Sequence, residues 1–166
     1  MTSLLITVVL AVPAQERWGL YNVSMHYGGG SIVKKPDAVG FVFSWDAAVR
    51  KGRYIIGAEY ETATNMRITG KRYAVDQVNL LYGRSLIRND QLFALNVFIG
   101  SGFYRQSYKP VGTDEEWTSA TALGLKLKLT AQYRLYKRLY ISVNPNVTFN
   151  FSSTYLSALG GLSYRF

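Results

Sequence analysis

The sequence predicts an all-β protein, an eight-stranded antiparallel up-and-down transmembrane β-barrel, and three observations carry that prediction. The first is the alternation from Leu139 to Phe151, where apolar residues occupy the odd positions and Tyr, Ser, Thr or Asn the even ones. A period of two indicates an extended strand with one apolar and one small polar face. At ~3.3 Å per residue and a tilt of about 40°, such a strand covers ~33 Å of membrane normal, more than the ~25 Å apolar band of an outer-membrane barrel.

The second observation is the high aromatic content, and the third is the absence of an apolar run long enough for a spanning helix. Aromatic residues make up 14% of the chain, with 13 Tyr, while only 17% is charged, which suits a barrel with aromatic girdles. No run approaches the ~20 apolar residues that a spanning helix needs. The absence of Cys excludes disulfides, thiolate metal sites and a cysteine nucleophile. The 166 residues leave room for one domain, which would cross a membrane with strands.

The first residues resemble a secretory signal. An apolar stretch from Leu4 to Val12 precedes the small residue Ala14, although the usual basic start is missing. The alternative, a first strand, would be apolar on both faces and would be followed by Pro13. We therefore expect residues 1–14 to be a signal peptide and residues 15–166 to form the barrel domain.

The first three strands follow from alternation bounded by turn residues. The first is expected from Trp18 to Tyr27, with Tyr21 on its apolar face, and Gly28-Gly29-Gly30 should end it. The second is expected from Ala38 to Asp46 and the third from Arg53 to Thr62.

The next two strands differ in clarity. The fourth, from Tyr73 to Arg84, has an open register because Asp76 and Leu81 break its alternation. The fifth, from Leu92 to Tyr104, alternates large apolar residues with Ala, Asn and Gly.

The last three strands complete an even number. The sixth runs from Leu123 to Tyr133, the seventh from Leu139 to Phe151, and the eighth from Tyr155 to Phe166. Because proline lacks a ladder donor, Pro145 predicts a bulge or a broken hydrogen bond in the seventh strand.

The connections alternate in length. Longer ones are expected at residues 28–37, 63–72 and 105–117, and shorter ones at 47–52, 85–91 and 134–138. Long outer loops and short periplasmic turns are the usual asymmetry of outer-membrane barrels. We therefore expect a bacterial outer-membrane protein with both termini in the periplasm.

The polar faces of the strands indicate which side is inward. A water-facing sheet surface is usually rich in Lys and Glu, whereas these faces carry mainly Ser, Thr, Asn, Gln and Gly. Such side chains suit the filled interior of an eight-stranded barrel. Because unpaired burial of charge is costly, Glu59 and Glu61 are expected to meet Lys126 and Lys128 across the lumen as a charge network that plugs the barrel.

The net charge of +9 lies mostly in the connections. Cations near an anionic surface gain ~1 kcal/mol each, which favours outer-membrane lipids and lipopolysaccharide as partners. The alternative is that charged loops simply seat the barrel at its two interfaces. No DNA-reading motif accompanies the charge, so no direct nucleic-acid partner is expected. The candidate residues for lipid phosphate are Lys34, Lys35, Arg67, Lys71, Arg72, Arg105 and Lys109.

The end of the chain resembles the small eight-stranded bacterial outer-membrane barrels, such as the OmpA barrel and OmpX. Gly161, Leu162, Tyr164 and Phe166 look like the C-terminal signal that those proteins present to the barrel assembly machinery. The resemblance implies a barrel with that machinery as a partner.

A narrower similarity involves Gly57-Ala58-Glu59-Tyr60 after a basic turn and the strand that contains Gln77. These elements are similar to TraO, the outer-membrane component of conjugative transposons. That similarity implies a non-catalytic part of a conjugative transfer apparatus.

The single histidine offers an enzymatic alternative. Barrel-type lipid A or phospholipid acyl-modifying enzymes use a His with a Ser and an acidic residue, so His26 could act with Ser24 or Ser31 and with Asp37 or Glu61. A lone His on a polar face is also compatible with a satisfied interior group, and the deacylase pattern places its His later in the barrel.

No cofactor or metal is expected. Asp114-Glu115-Glu116 could in principle hold Ca²⁺, but the pattern is also that of a solvated loop tip. The sequence thus favours a non-catalytic outer-membrane protein with a structural or interaction role: anchoring, envelope integrity or partner binding through extracellular loops.

Overall fold

The structure, a computed structural model, describes residues 17–33, 35–65, 71–89, 92–112, 114, 116–151 and 153–166. The expected signal peptide at residues 1–14 lies outside the described residues. Within the described ranges, no helix is long and apolar enough to cross a membrane.

Eight antiparallel strands close into a barrel in which each strand pairs with its neighbours in the chain and β1 pairs with β8, so the fold-class prediction is confirmed. The strands are β1 Gly19–Ile32, β2 Lys35–Lys51, β3 Tyr54–Thr64, β4 Lys71–Asn89, β5 Phe93–Pro110, β6 Thr118–Tyr136, β7 Leu139–Asn150 and β8 Thr154–Arg165.

The strands β1 to β6 are longer than the alternation predicted, whereas β7 and β8 are not. The prediction that Gly28-Gly29-Gly30 ends β1 is wrong. These glycines lie within β1, and Gly28 is paired with Val42 on one side and Leu159 on the other. A Cβ at Gly28 would lie 2.1 Å from the carbonyl oxygen of Ala158. Glycine is therefore required here for the close approach of β1 to β8 and not for a turn.

The connections at the two ends of the barrel differ. Residues 52–53, 90–92 and 137–138 join strands at one end, which we call the turn end and where β1 begins and β8 ends. Residues 33–34, 65–70, 111–117 and 151–153 join strands at the other, which we call the loop end. The connection expected at residues 28–37 is thus mostly strand, whereas those at 65–70 and 111–117 are longer than the turns.

Exposure alternates along the strands as expected, with two corrections. Tyr21 is buried and not outward, because the β1–β2 register shifts between Leu20 and Asn22 and the irregularity turns Tyr21 inward. In β4 the alternation is not broken, since Leu81 is buried inside with Gln77 and Asn79.

Pro145 interrupts a ladder without shifting it. The β6–β7 pairing passes from Lys128↔Asn146 to Ala131↔Val143, so Leu129 and Thr130 are unpaired in that ladder while the register is kept. Asn144 and Pro145, the residues of β7 that face this gap, remain paired with β8. A broken stretch of ladder is therefore present, and the bulge is not.

The lumen is filled in layers. Toward the loop end, the buried residues Ile32, Val42, Ala63, Val75, Tyr104, Tyr155 and Leu159 form an apolar layer. Toward the turn end, a second apolar layer consists of Tyr21, Ala48, Ile55, Leu81 and Phe98. Between the two layers the buried side chains are polar or charged, so the charged centre of the barrel is closed off by apolar side chains on both sides.

Candidate functional site: the lumen charge network

Two strands on opposite sides of the barrel supply the charges expected in the lumen. Glu59 and Glu61 are inward positions of β3, and Lys126 and Lys128 are inward positions of β6; all four are buried. Lys126 Nζ donates to Glu59 and, at 2.6 Å, to Glu61 Oε2. Lys128 Nζ donates to Glu59 Oε2 at 2.5 Å. The structure thus brings the four residues together across the lumen.

Asp46 is a fifth member that the sequence analysis did not include. Its Oδ2 accepts a hydrogen bond of 2.8 Å from Lys128 Nζ. Asp46 on β2 is directly paired with Glu59 on β3, so both carboxylates face the same side. The signal available in the sequence was the alternation of the second strand, which places Asp46 on the same polar face as Ser44. We call Asp46, Glu59, Glu61, Lys126 and Lys128 the lumen charge network.

Neutral side chains complete the network on the loop-end side. Ser157 Oγ donates to Glu61 Oε1 at 3.0 Å, and Gln77 Nε2 approaches the same oxygen at 3.5 Å. Thr148 Oγ1 in turn donates to Gln77 Oε1 at 2.9 Å. Such hydrogen bonds offset the desolvation of a buried charge, which is severe when a charge lacks partners.

The candidate catalytic pair His26 and Ser24 is not joined in the structure. Nε2 of His26 lies 3.0 Å from Ser142 Oγ, while Nδ1 lies 3.4 Å from Ser44 Oγ and 3.6 Å from Asp46 Oδ2. The hydroxyl of Ser24 instead accepts a hydrogen bond from Asn22 Nδ2 at 2.7 Å.

His26 thus lies between Ser142 and the pair Ser44 and Asp46, with Asp46 beyond hydrogen-bond distance, and the whole group is enclosed. His26 is 2% and Ser142 1% exposed, and the cavity beside His26 measures about 20 Å³, room for about one water. An acyl chain has no access to these groups. The alternative partner Asp37 has a side chain outside the described part of the structure.

The seven candidate residues for lipid phosphate, which we call the basic rim, lie at the loop end as far as the structure describes them. Lys34 and Arg67 are outside the described residues, and only the backbone of Lys35 is described. Lys71 Nζ lies 5.3 Å from the ring centre of Tyr108. The remaining members are Arg72, which pairs with Lys109, and Arg105.

Arg105 is held by a carboxylate on the outer face. Its Nη2 lies 2.9 Å from Asp76 Oδ2, and Asp76 Oδ1 accepts from Tyr60 and Thr62 at 3.2 and 2.9 Å. The Arg105 side chain is nevertheless 58% exposed. A lipid phosphate would therefore share this guanidinium with Asp76.

The residues expected as a barrel-assembly signal lie at the turn end of β8. Leu162, Tyr164 and Phe166 face outward, and the last two rings meet edge to face with centres 5.1 Å apart. Gly161 is the inward member: a Cβ there would lie 2.0 Å from the carbonyl oxygen of Met25 on β1. Three exposed apolar side chains thus border the seam between the first and last strands.

Within the part of the chain that the structure describes, no group of three or more His, Asp or Glu side chains is placed to hold a metal ion. Of the acidic run Asp114-Glu115-Glu116, Glu115 lies outside the described residues.

Solved structures of small outer-membrane barrels share this fold. The chain is similar to the Neisserial surface protein A, with a TM-score of 0.71 and 11% identity over 91% of this chain and 100% of that one. It is similar to Ail, the attachment invasion locus protein of Yersinia pestis, with a TM-score of 0.59 and 10% identity over 91% and 99% of the two chains. A major outer membrane protein from Thermus thermophilus gives a TM-score of 0.59 and 14% identity over 87% and 99%.

No family model matches the chain, and no curated protein matches it. The resemblance to the small eight-stranded outer-membrane barrels is confirmed at the level of fold.

Proposed function

We propose that this chain is a non-catalytic bacterial outer-membrane β-barrel protein with a structural or interaction role, its turn end and both termini in the periplasm. The observation that carries the proposal is the inverted arrangement of the barrel: apolar side chains cover the outside of the strands, and the five side chains of the lumen charge network are buried at the centre. A soluble barrel would place its apolar face inward and its charges in water.

The outer surface supports a lipid environment. Outward side chains of the central part of the barrel include Val78 and Leu80 on β4 and Leu123, Leu125 and Leu127 on β6, all of them exposed. Soluble monomers rarely expose contiguous apolar patches larger than a few hundred Å². Outward aromatic pairs, such as Tyr54 with Tyr82 at the turn end, suit the interfacial girdles of such barrels.

The proposal is tested by the requirement for detergent. We expect the folded protein to remain monodisperse only in detergent or lipid and to migrate differently on a gel before and after boiling. A variant in which the outward Leu and Val residues of β4 and β6 are replaced by Lys and Glu is the comparison. If that face normally contacts lipid, the variant should be more soluble than the wild-type protein in buffer without detergent. A monodisperse, folded wild-type protein in plain buffer would show that the membrane role is wrong.

The enzymatic alternative has its own test. Because His26 is enclosed, a His26→Ala variant should leave the lipid A and phospholipid acyl pattern of the producing cells unchanged by mass spectrometry. A His26-dependent change in acylation would overturn the non-catalytic assignment.

The interaction role concerns the loop end. Outer-membrane lipids, lipopolysaccharide and a protein bound through the loops are the partners that its cations and connections favour. A place in a conjugative transfer apparatus stays a prediction from the sequence similarity, and co-purification with transfer-channel components would support it. Loss of that co-purification on exchange of residues 111–117, with the barrel intact, would place the contact in the longest connection.

A further inference from the structure

The turn end of the barrel opens into a cavity of about 630 Å³. Its described lining holds six cations and no carboxylate side chain. The cations are Arg17, Arg50, Arg134, Lys137, Arg138 and Arg165. The volume falls in the ~300–1,000 Å³ range of small-molecule sites. Like charges that converge without an acidic side chain among them raise the local potential, which an anion would relieve.

The inner wall of this cavity is a built arrangement of guanidinium groups and tyrosine rings. Arg165 is 7% exposed; its Nη2 donates to Gln132 Oε1 at 2.6 Å, and its guanidinium lies 3.9 Å from the ring centre of Tyr140. Arg50 and Arg165 lie 5.0 and 5.1 Å from the ring centre of Tyr21. Within the described residues, Nε of Arg165 has no hydrogen-bond partner. Rings and a glutamine thus fix Arg165 while leaving one of its donors unsatisfied.

The β6–β7 turn adds a second, independent observation. Lys137 is the first residue of this two-residue turn and has φ 41°, in the left-handed region that favours glycine. The β2–β3 turn has the same length, and its first residue is Gly52, with φ 57°. The same backbone demand is thus met by glycine in one turn and by a strained lysine in the other. Strain of this kind in a non-glycine residue is often associated with function.

We propose that the turn end is a binding site for a compact, multiply charged phosphate-type anion, held by the cations of the cavity. Tyr21, Tyr140 and Arg165 point into the lumen and form the inner part of the cavity, so a ligand would enter through the opening at the turn end. Multivalent phosphate matches it because guanidinium groups bind phosphate oxygens through paired, charge-assisted hydrogen bonds. The phosphate could belong to a soluble molecule or to a lipid headgroup, since both present the same oxygens.

Isothermal titration calorimetry of the whole protein in a neutral maltoside detergent tests the site with inorganic pyrophosphate. We expect saturable binding that weakens steeply between about 50 and 500 mM NaCl, because salt screens the attraction. The variant Arg134→Gln/Arg138→Gln should lose about tenfold in affinity, the scale of a charge-assisted contact or two. The matched control Arg53→Gln/Arg84→Gln removes the same charge from two exposed cations that are not among the described lining residues of the cavity, and it should change affinity less than about twofold.

A second variant covers the case in which the first fails to fold. Lys137→Gly removes one cation and suits the left-handed backbone, so it should weaken pyrophosphate binding without lowering the urea midpoint of unfolding. Mixed micelles that contain phosphatidylglycerol distinguish a lipid headgroup from a soluble molecule as the source of the phosphate. They should displace pyrophosphate if the headgroup enters the cavity, and pyrophosphate should stay bound if the natural ligand is soluble.

Three results would overturn the proposal. The first is that the cavity variants bind pyrophosphate as tightly as the control Arg53→Gln/Arg84→Gln does. The second is that neither pyrophosphate nor phosphatidylglycerol binds at low salt, and the third is that the protein prefers an acidic peptide to both. The proposal does not depend on the membrane role, because a detergent-free soluble barrel that binds pyrophosphate would contradict only the latter.

Discussion

At the residue scale, Lys126 neutralises two of the three buried carboxylates of the lumen charge network. Its ammonium is the shared partner of Glu59 and Glu61, and all three side chains are fully buried. A buried ion pair gains little over an apolar replacement, whereas removal of one partner leaves an uncompensated charge. The network is therefore sensitive to single substitutions.

We predict that Lys126→Met destabilises the barrel by about 3–5 kcal/mol, the range for loss of one partner from a buried ion pair. Urea unfolding in lipid vesicles, followed by the fluorescence of the three tryptophans, measures the change. Lys71→Met is the matched control, because this cation is exposed beside Tyr108 and its loss should cost no more than about 1 kcal/mol.

A compensating change separates charge from packing. Lys126→Met/Glu61→Gln removes one positive and one negative charge and leaves Glu59 with Lys128, so the double variant should recover part of the lost free energy of unfolding. If Lys126→Met costs no more than Lys71→Met, the network does not stabilise the barrel.

Individual residues also show what the sequence could predict. The positions of Glu59, Glu61, Lys126 and Lys128 followed from strict alternation and the need of buried charges for partners. Tyr21 was misplaced because one irregular position reverses the inward and outward faces, and the residues around it carry no sign of that irregularity.

At the element scale, β7 combines the clearest alternation with a residue that weakens pairing. Pro145 faces outward, and the unpaired stretch of β6 opposite it shows where the missing amide would have donated. We predict that Pro145→Val restores this pairing and raises stability by about 0.5–1.5 kcal/mol, the net contribution of one hydrogen bond.

Hydrogen exchange by NMR in detergent measures this directly. The new amide of residue 145 should be protected to the same degree as those of its neighbours in β7. Exchange at the rate of an open turn would mean that the gap in the β6–β7 ladder has another cause.

The pairing of β4 with β5 predicts a second effect. Gly83 lies opposite Phe98, and a Cβ at Gly83 would lie 2.2 Å from the Phe98 ring. We predict that Gly83→Ala destabilises the barrel by about 1–3 kcal/mol, as expected for overpacking.

The outward Gly160 provides the comparison, because a Cβ there would meet only Ser142 O at 3.9 Å. In the same urea titration, Gly160→Ala should therefore be nearly neutral. Equal effects at the two positions would show that glycine flexibility, and not the aromatic ring, determines the cost.

Strand lengths were the part of the elements that the sequence predicted least well. Alternation indicated β7 and β8 to within one residue of their ends, but it shortened the other strands, whose end residues include polar and glycine residues that are also typical of turns. In a closed barrel these residues are recruited into strand by pairing on both sides, as for Gly28 between β2 and β8.

At the scale of the whole molecule, two apolar layers and a layer of ion pairs lie in series along the lumen. An ion that crossed it would have to pass apolar constrictions and separate buried pairs. We predict that the protein in planar bilayers gives no steady conductance above a sporadic leak. The variant Tyr104→Ala/Tyr155→Ala, which opens one apolar layer, should remain closed because the charged centre is intact.

Steady conductance of the wild-type protein would mean that the lumen charge network and the apolar layers do not close the barrel.

The eight-stranded closed architecture was predictable from the sequence because strand number and alternation follow from local pattern. The layering was not, because the strand registers determine which inward side chains lie at the same level of the lumen, and alternation alone does not give those registers.

The pairing of β1 with β8 has a consequence for biogenesis. Asn22 of β1 pairs in register with Arg165 of β8, so the barrel can close only after β8 has been synthesised. Every shorter nascent chain presents two unsatisfied edges, and such edges recruit foreign strands. Premature termination before β8 should therefore yield aggregates or chaperone-bound chains, never a smaller version of the folded protein.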